Sequence, residues 1–199
     1  MKKTLIALAA VASALTAGTA FAQSSDGSSP WMVRVRAAHL ASDNGGPAGN
    51  AGVSVSDKWI PEVDVSYFFT PNIAAELILT YPQKHDVRLG GSSIGSLKHL
   101  PPTLLAQYHF TNFGAFKPYV GAGVNYTRFS NVDILGGTVN VSRNSWGPAL
   151  QAGFDYALTK NWSLNFDVKK VYIDTNVSAG IGKLKVDPWL MSVGIGYRF

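Results

Sequence analysis

Charged residues in this 199-residue chain recur at a spacing of two: Arg34 and Arg36, Glu62 and Asp64, Asp167 and Lys169. Side chains two apart share one face of a β-strand. Glu76 and Asp155 fall on the matching parity of their own alternating segments, while apolar residues hold the other parity. These eight groups are therefore expected to face one enclosed interior. The chemistry open to such a set is mutual neutralisation, because buried charges must be paired or hydrogen-bonded. Pairing that simply plugs the interior accounts for each of them. The functional alternative is a polar barrier beneath an apolar vestibule, with Ile78, Leu105 and Phe129 as inward apolar residues.

Other chemistries find little support. His39, His85 and His99 are expected near one rim, but no strand carries two of them at metal-ligand spacing, so no metal or cofactor is expected. No serine sits in a nucleophile elbow, and no Ser–His–acid set can be named. Gly121-Ala-Gly123 and Gly194-Ile-Gly196 lack the strand-to-helix setting of a phosphate loop and read as small inward residues. There is no cysteine, which excludes disulfides and thiolate metal sites. The expectation is a protein that is not an enzyme.

The elements that must position these residues are strands of period two. In the last one Trp189, Met191, Val193, Ile195, Tyr197 and Phe199 share a parity, with Ser192, Gly194, Gly196 and Arg198 on the other. The same pattern recurs at about 31–40, 58–70, 72–81, 97–110, 117–129, 145–157 and 162–172. Connections alternate between long (41–57, 82–96, 130–144, 174–183) and short, which is the asymmetry of outer-membrane barrels. Trp59, Tyr81, Tyr126, Trp146, Tyr172 and Trp189 lie at the long-loop ends; Trp31, Phe69, Phe110, Tyr156, Trp162 and Phe199 lie at the short-turn ends. Two such belts suit the two headgroup regions of a bilayer. The predicted fold is all-β, an eight-stranded antiparallel transmembrane barrel, whose interior is wide enough only for side chains.

Lys2 and Lys3, the apolar run 5–17 and Ala20-Phe21-Ala22 read as a signal peptide, 1–22, with the barrel over 23–199. Losing both lysines lowers the formal net charge of +5 by two, and no Lys/Arg run points to nucleic acid. Charged residues are 15% of the chain, against roughly 25% in soluble domains.

Prolines carry a further signal. Pro101 and Pro102 each remove one ladder donor from the fourth strand, toward the third and fifth strands respectively, and Pro61 and Pro148 also fall within strands. A rim bulge explains such gaps. A local opening in the wall, through which an apolar solute leaves sideways, explains them too.

His99-Leu-Pro-Pro-Thr-Leu, Pro118-Tyr-Val-Gly-Ala-Gly-Val-Asn-Tyr-Thr127, Ser145-Trp-Gly147, Gly153-Phe-Asp-Tyr156, Asp187-Pro-Trp189 and Gly196-Tyr-Arg-Phe199 closely resemble the OmpW family. The resemblance implies a Gram-negative outer-membrane barrel among outer-membrane lipids. Its assembly by the barrel-insertion machinery would read Phe199 and Tyr197 of the last strand. By analogy with the related AlkL and OprG proteins it implies uptake of small hydrophobic molecules. For some members it implies use as a colicin receptor, so a colicin or phage ligand is a possible partner of a surface-recognition barrel. The family's apolar constriction maps to Ile78 and Lys169, with Leu105 nearby. Lys169 departs from that apolar character. Lys170 falls on the lipid parity, close enough to the rim to snorkel.

Overall fold

The computed structural model describes residues 29–178 and 182–199. The expected signal peptide lies outside the described residues. In chain order the elements are β1 (Trp31–Ala41), α1 (Gly46–Asn50), β2 (Val53–Val55), β3 (Lys58–Phe68), β4 (Ile73–Leu79), β5 (Gln83–Leu89) and β6 (Ser92–Leu100). They continue with β7 (Thr103–His109), β8 (Phe116–Ile134), β9 (Asn144–Ala157), β10 (Trp162–Val171), β11 (Asp174–Val177), β12 (Gly182–Lys185) and β13 (Trp189–Arg198).

Eight of these close a ring, β1–β3–β4–β7–β8–β9–β10–β13 and back to β1, every pair antiparallel. Closure leaves no free edge, as hydrocarbon demands. Period two then decides what faces where. Val35, Leu77, Leu150 and Ile195 are 53%, 41%, 52% and 47% exposed on the outside, whereas Asp64 and Asp155 are 0% and 5% exposed within. A water-soluble barrel would have the reverse. Rings at each rim pack edge to face or tilted across strands, Tyr126 on Trp146 (4.7 Å) at the outer rim and Trp162 on Tyr197 (4.9 Å) at the inner.

The regions expected as long loops carry secondary structure of their own. Residues 82–96 form the hairpin β5–β6, whose two-residue turn, Gly90-Gly91, has φ +57° and +86° at its centre. That is the twist a tight hairpin needs. Residues 41–57 hold α1 and β2, which pairs with β5; β8 runs on to Ile134; and β11 pairs antiparallel with β12. The alternation was present, with Gln83, His85 and Val87 buried and Lys84, Asp86 and Arg88 exposed, but polar inward residues hid it. Together these pieces make a folded cap on the outer end of the barrel.

The fourth strand, expected over about 97–110 with an interruption at its prolines, is divided at Pro101-Pro102 into β6 and β7. Against β8 the register passes through both prolines unchanged, Leu100 opposite Arg128 and Thr103 opposite Asn125. Against its other neighbour the ladder stops at Ile78–Thr103 and resumes at Gln83–His99, shifted by one residue. At the prolines the bulge lies on that side; the β6–β8 ladder has its own register shift higher up, between Ser96 and Lys98.

Candidate functional site: a layered lumen

The middle of the lumen is a network of ions. Arg34 grips Asp155 with both prongs, Nε to Oδ1 at 3.0 Å and Nη2 to Oδ2 at 2.7 Å, while Nη1 donates to Asp64 (3.1 Å), Ser66 (2.8 Å) and Glu76 (3.3 Å). Arg36 reaches Glu62 (2.9 Å), Asp64 (2.6 Å), Glu76 (3.0 Å) and Asp167 (3.5 Å). Lys169 closes the set on Glu62 (2.6 Å) and Asp167 (2.7 Å). Planar guanidinium forks suit carboxylates, and several charges held in one frame outweigh an isolated pair. The long arginine stems fit because β13 offers glycine opposite each of them, Gly196 facing Arg34 and Gly194 facing Arg36. A Cβ at Gly194 would sit 2.7 Å from the Arg36 Cγ.

Neutral groups that the sequence reading left without a role complete this layer. Gln107 and Gln151 each donate to Glu76 Oε2 at 2.9 Å, Gln151 also donates to Asp167, and Asn165 donates to Asp155 (2.9 Å) and to the Tyr119 hydroxyl (3.0 Å). Their signal was inward parity together with an amide or hydroxyl. A tyrosine on the inward face of β8 was the least legible of them.

Above this layer the same strands turn apolar. Leu40, Ile60, Ile78, Leu105, Val171 and Leu190 are all buried and join one cluster with Phe129, Leu97 and the cap. Ile78 and Leu105 sit at its lower boundary, while Lys169 points into the ion network instead of completing an apolar constriction. The cluster opens upward into a cavity of about 180 Å³ among Val53, Val87, Leu97, Ile134, Val139 and Leu184, with no polar side chain in its wall. A space of similar size takes benzene when its lining is apolar. At the opposite mouth a second cavity of about 180 Å³ is lined by Lys117, Asp155, Lys160, Asn161, His109 and Arg198.

The wall is interrupted beside the boundary between layers. Pro61, Pro82, Pro101 and Pro102 come together where β3, β4 and the β6–β7 strand lose their pairing. Side chains cap the stranded carbonyls, Thr80 Oγ1 donating to Pro61 (3.0 Å) and Thr103 Oγ1 to Pro101 (3.3 Å), whereas the Pro102 carbonyl keeps a ladder bond from Tyr126 N on β8 (3.0 Å). The space behind the gap, among Ile60, Ile78, Thr80 and Pro101, measures only about 20 Å³. In this conformation the gap is a seam.

His39, expected to gather with His85 and His99, faces outward onto Trp59 (5.1 Å), while the other two stack inside the cap at 4.5 Å. Alternation sends residue 39 of β1 to the lipid side. Burial holds His85 below the ordinary imidazole range and pushes His99 down to about 3. Lys170 bends to the rim, donating to the Asp187 carbonyl (2.6 Å) and lying 5.0 Å over the Trp189 ring. Tyr197 and Phe199 face outward, edge to face at 5.1 Å.

The profile of the OmpW family matches residues 31–199, the whole barrel. The chain belongs to the OmpW family. Among its OmpW-family relatives an uncharacterized outer-membrane protein, y4mB of Sinorhizobium fredii, is 49% identical over 186 residues, covering 87% of this chain and 81% of the relative. Outer membrane protein W of Escherichia coli is 33% identical over 216 aligned positions that span all of both chains. The crystal structure of OprG from Pseudomonas aeruginosa superposes with a TM-score of 0.73 at 30% identity, covering 86% of this chain and 97% of that one. As an OmpW-family barrel this is a protein of the bacterial outer membrane, with its apolar face against lipid.

Proposed function

We propose that the barrel is a passive, non-enzymatic channel for small hydrophobic molecules. A solute enters the apolar cavity of the cap, descends to Ile78 and Leu105, is stopped by the ion network, and leaves sideways between β4 and β7 at Pro101-Pro102. The observation that carries this reading is the coincidence of three features at one height. There the apolar path ends, the charged layer begins, and the wall lacks backbone pairing. An apolar solute gains nothing by entering a layer of buried ions, since prying those paired charges apart would cost several kcal/mol. A sideways step into hydrocarbon carries no such penalty. The seam must widen from its present volume for a solute to pass, which makes exit a gated step.

Pro101→Val with Pro102→Val restores two backbone donors and is expected to tighten the seam. Uptake of a hydrophobic tracer into proteoliposomes should then fall at least tenfold while the barrel stays folded. Unchanged uptake in the double variant would rule out the lateral route. If the wild-type protein gives no uptake, the folded cap is better read as a surface for a colicin- or phage-like partner.

A further inference from the structure

Between the cap cavity and the seam lies a polar patch that the transport reading leaves unused. On β5 the inward residues run Gln83, His85, Val87; on β6 they run Leu97, His99, toward Pro101. Val87 and Leu97 line the cavity, and Pro101 lines the seam. Gln83, His85 and His99 therefore stand on the path from one to the other, and they are 1%, 0% and 2% exposed. Among the described residues no group satisfies Gln83 Oε1, His85 Nε2 or His99 Nε2. Three adjacent buried polar atoms without a protein partner are unusual, since nearly all such atoms are hydrogen-bonded.

Their own bonds set what they can accept. His85 Nδ1 lies 2.9 Å from the Ser56 carbonyl, so that nitrogen must carry the proton and Nε2 presents a lone pair. The Gln83 amide donates through Nε2 to the Tyr81 carbonyl at 3.2 Å, which leaves Oε1 as an acceptor. Near-parallel stacking of the two imidazoles, 4.5 Å apart with 13° between planes, keeps their in-plane lone pairs in separate, nearly parallel planes and does not converge them on one metal ion. Around the patch Phe129, Leu97 and Val87 supply only apolar surface. Two fixed acceptors in an apolar wall fit one chemistry, a hydrogen-bond donor on an otherwise apolar molecule.

We propose that Gln83 Oε1 and His85 Nε2, with His99 beside them, form an acceptor site that selects hydroxyl-bearing apolar solutes, such as phenols and fused-ring alcohols, over the parent hydrocarbons. This rests on the uptake reading and names its substrate class. Both imidazoles stay neutral at pH 7, because burial holds His85 and His99 below the ordinary range. A plain hydrocarbon would leave the acceptors unsatisfied as it passed; a hydroxyl would satisfy one and stay longer.

The test is equilibrium binding of 1-naphthol and of naphthalene to the barrel in lipid nanodiscs, corrected for partition into empty discs. Wild-type protein should bind 1-naphthol about tenfold more tightly than naphthalene, the worth of one net hydrogen bond. Gln83→Met with His85→Leu should abolish that preference, with naphthalene bound at least as tightly as by the wild type. His85→Gln, which keeps an oxygen acceptor at the same reach, should restore part of it when paired with native Gln83. Heat-dependent gel mobility identifies variants that remain folded barrels. Equal wild-type binding of the two compounds, or a preference that survives the double variant, overturns the acceptor site and leaves the uptake reading intact. An acceptor-dependent preference without proteoliposome uptake keeps the site and overturns transport instead.

Discussion

The lower and upper halves of the lumen are supplied by the same eight strands and are solvated in opposite ways. In β1 the inward residues pass from Arg34 and Arg36 to Ala38 and Leu40; in β3 from Asp64 and Glu62 to Ile60; in β10 from Asp167 and Lys169 to Val171. One step along each strand changes the medium from paired ions to packed hydrocarbon. The lower half is held by directional bonds, so each member depends on the others. The upper half is held by burial alone, which is non-directional and tolerates rearrangement. A barrier that must not leak belongs with the first kind of packing. A receptor for variable apolar guests belongs with the second.

The largest expected effect comes from breaking the lower half. Arg34→Met would strand Asp155, Asp64 and Glu76 around a neutral side chain, and should lower stability by about 3–5 kcal/mol, the usual consequence of removing one partner from buried ions. Urea unfolding in detergent micelles or liposomes reads it. Lys169→Met should cost about 2–3 kcal/mol by leaving Glu62 and Asp167 short of a cation. Adding Glu62→Gln should recover about 1 kcal/mol or more, because the two side chains bond directly. Simple additivity of the two changes would contradict the network.

The upper half should respond differently. Leu184→Asp puts a carboxylate into the cap cavity and should weaken binding of an apolar tracer about tenfold, roughly 1.4 kcal/mol. The barrel's unfolding midpoint should move less than with Arg34→Met, because β12 belongs to a separate two-stranded sheet.

Acid is also expected to loosen the cap. His99 is held down to about 3 from an ordinary 6.5 by burial first, then by the stacked His85 and by Lys58, so the fold favours its neutral form. That contribution is complete above about pH 6.5 and is lost as pH falls toward 3. His85 follows in the same sense, with Asp57 and Asp86 partly opposing its loss of basicity. The methyl resonances of Leu97 should shift and broaden over that interval, and His99→Phe should remove most of the change.

Much of this was readable before any coordinates. Parity assigned Arg34, Asp64, Glu76 and Asp155 to the interior and Val35, Leu77 and Ile195 to lipid, because a strand has only two faces. The conformation of the cap was not legible because its strands are short and β5 carries Gln83 and His85 where a core residue would be expected. His39 was grouped with the other two histidines by proximity of position, although its parity already sent it outward.

By itself the sequence determined the closed barrel, its orientation toward lipid and the identity of the inward charges, since these follow from period two and from the lack of any other partner for backbone groups in hydrocarbon. Only the tertiary structure decided who bonds whom. Arg34 meets Asp155 across 121 residues, and Lys169 meets Glu62 across 107, because barrel closure and register bring four strands to one height. The same closure decided that the proline gap is a seam of about 20 Å³ and that two acceptors lie beside it without partners. Spacing along one strand can specify a face; distances across a cylinder depend on all of them at once.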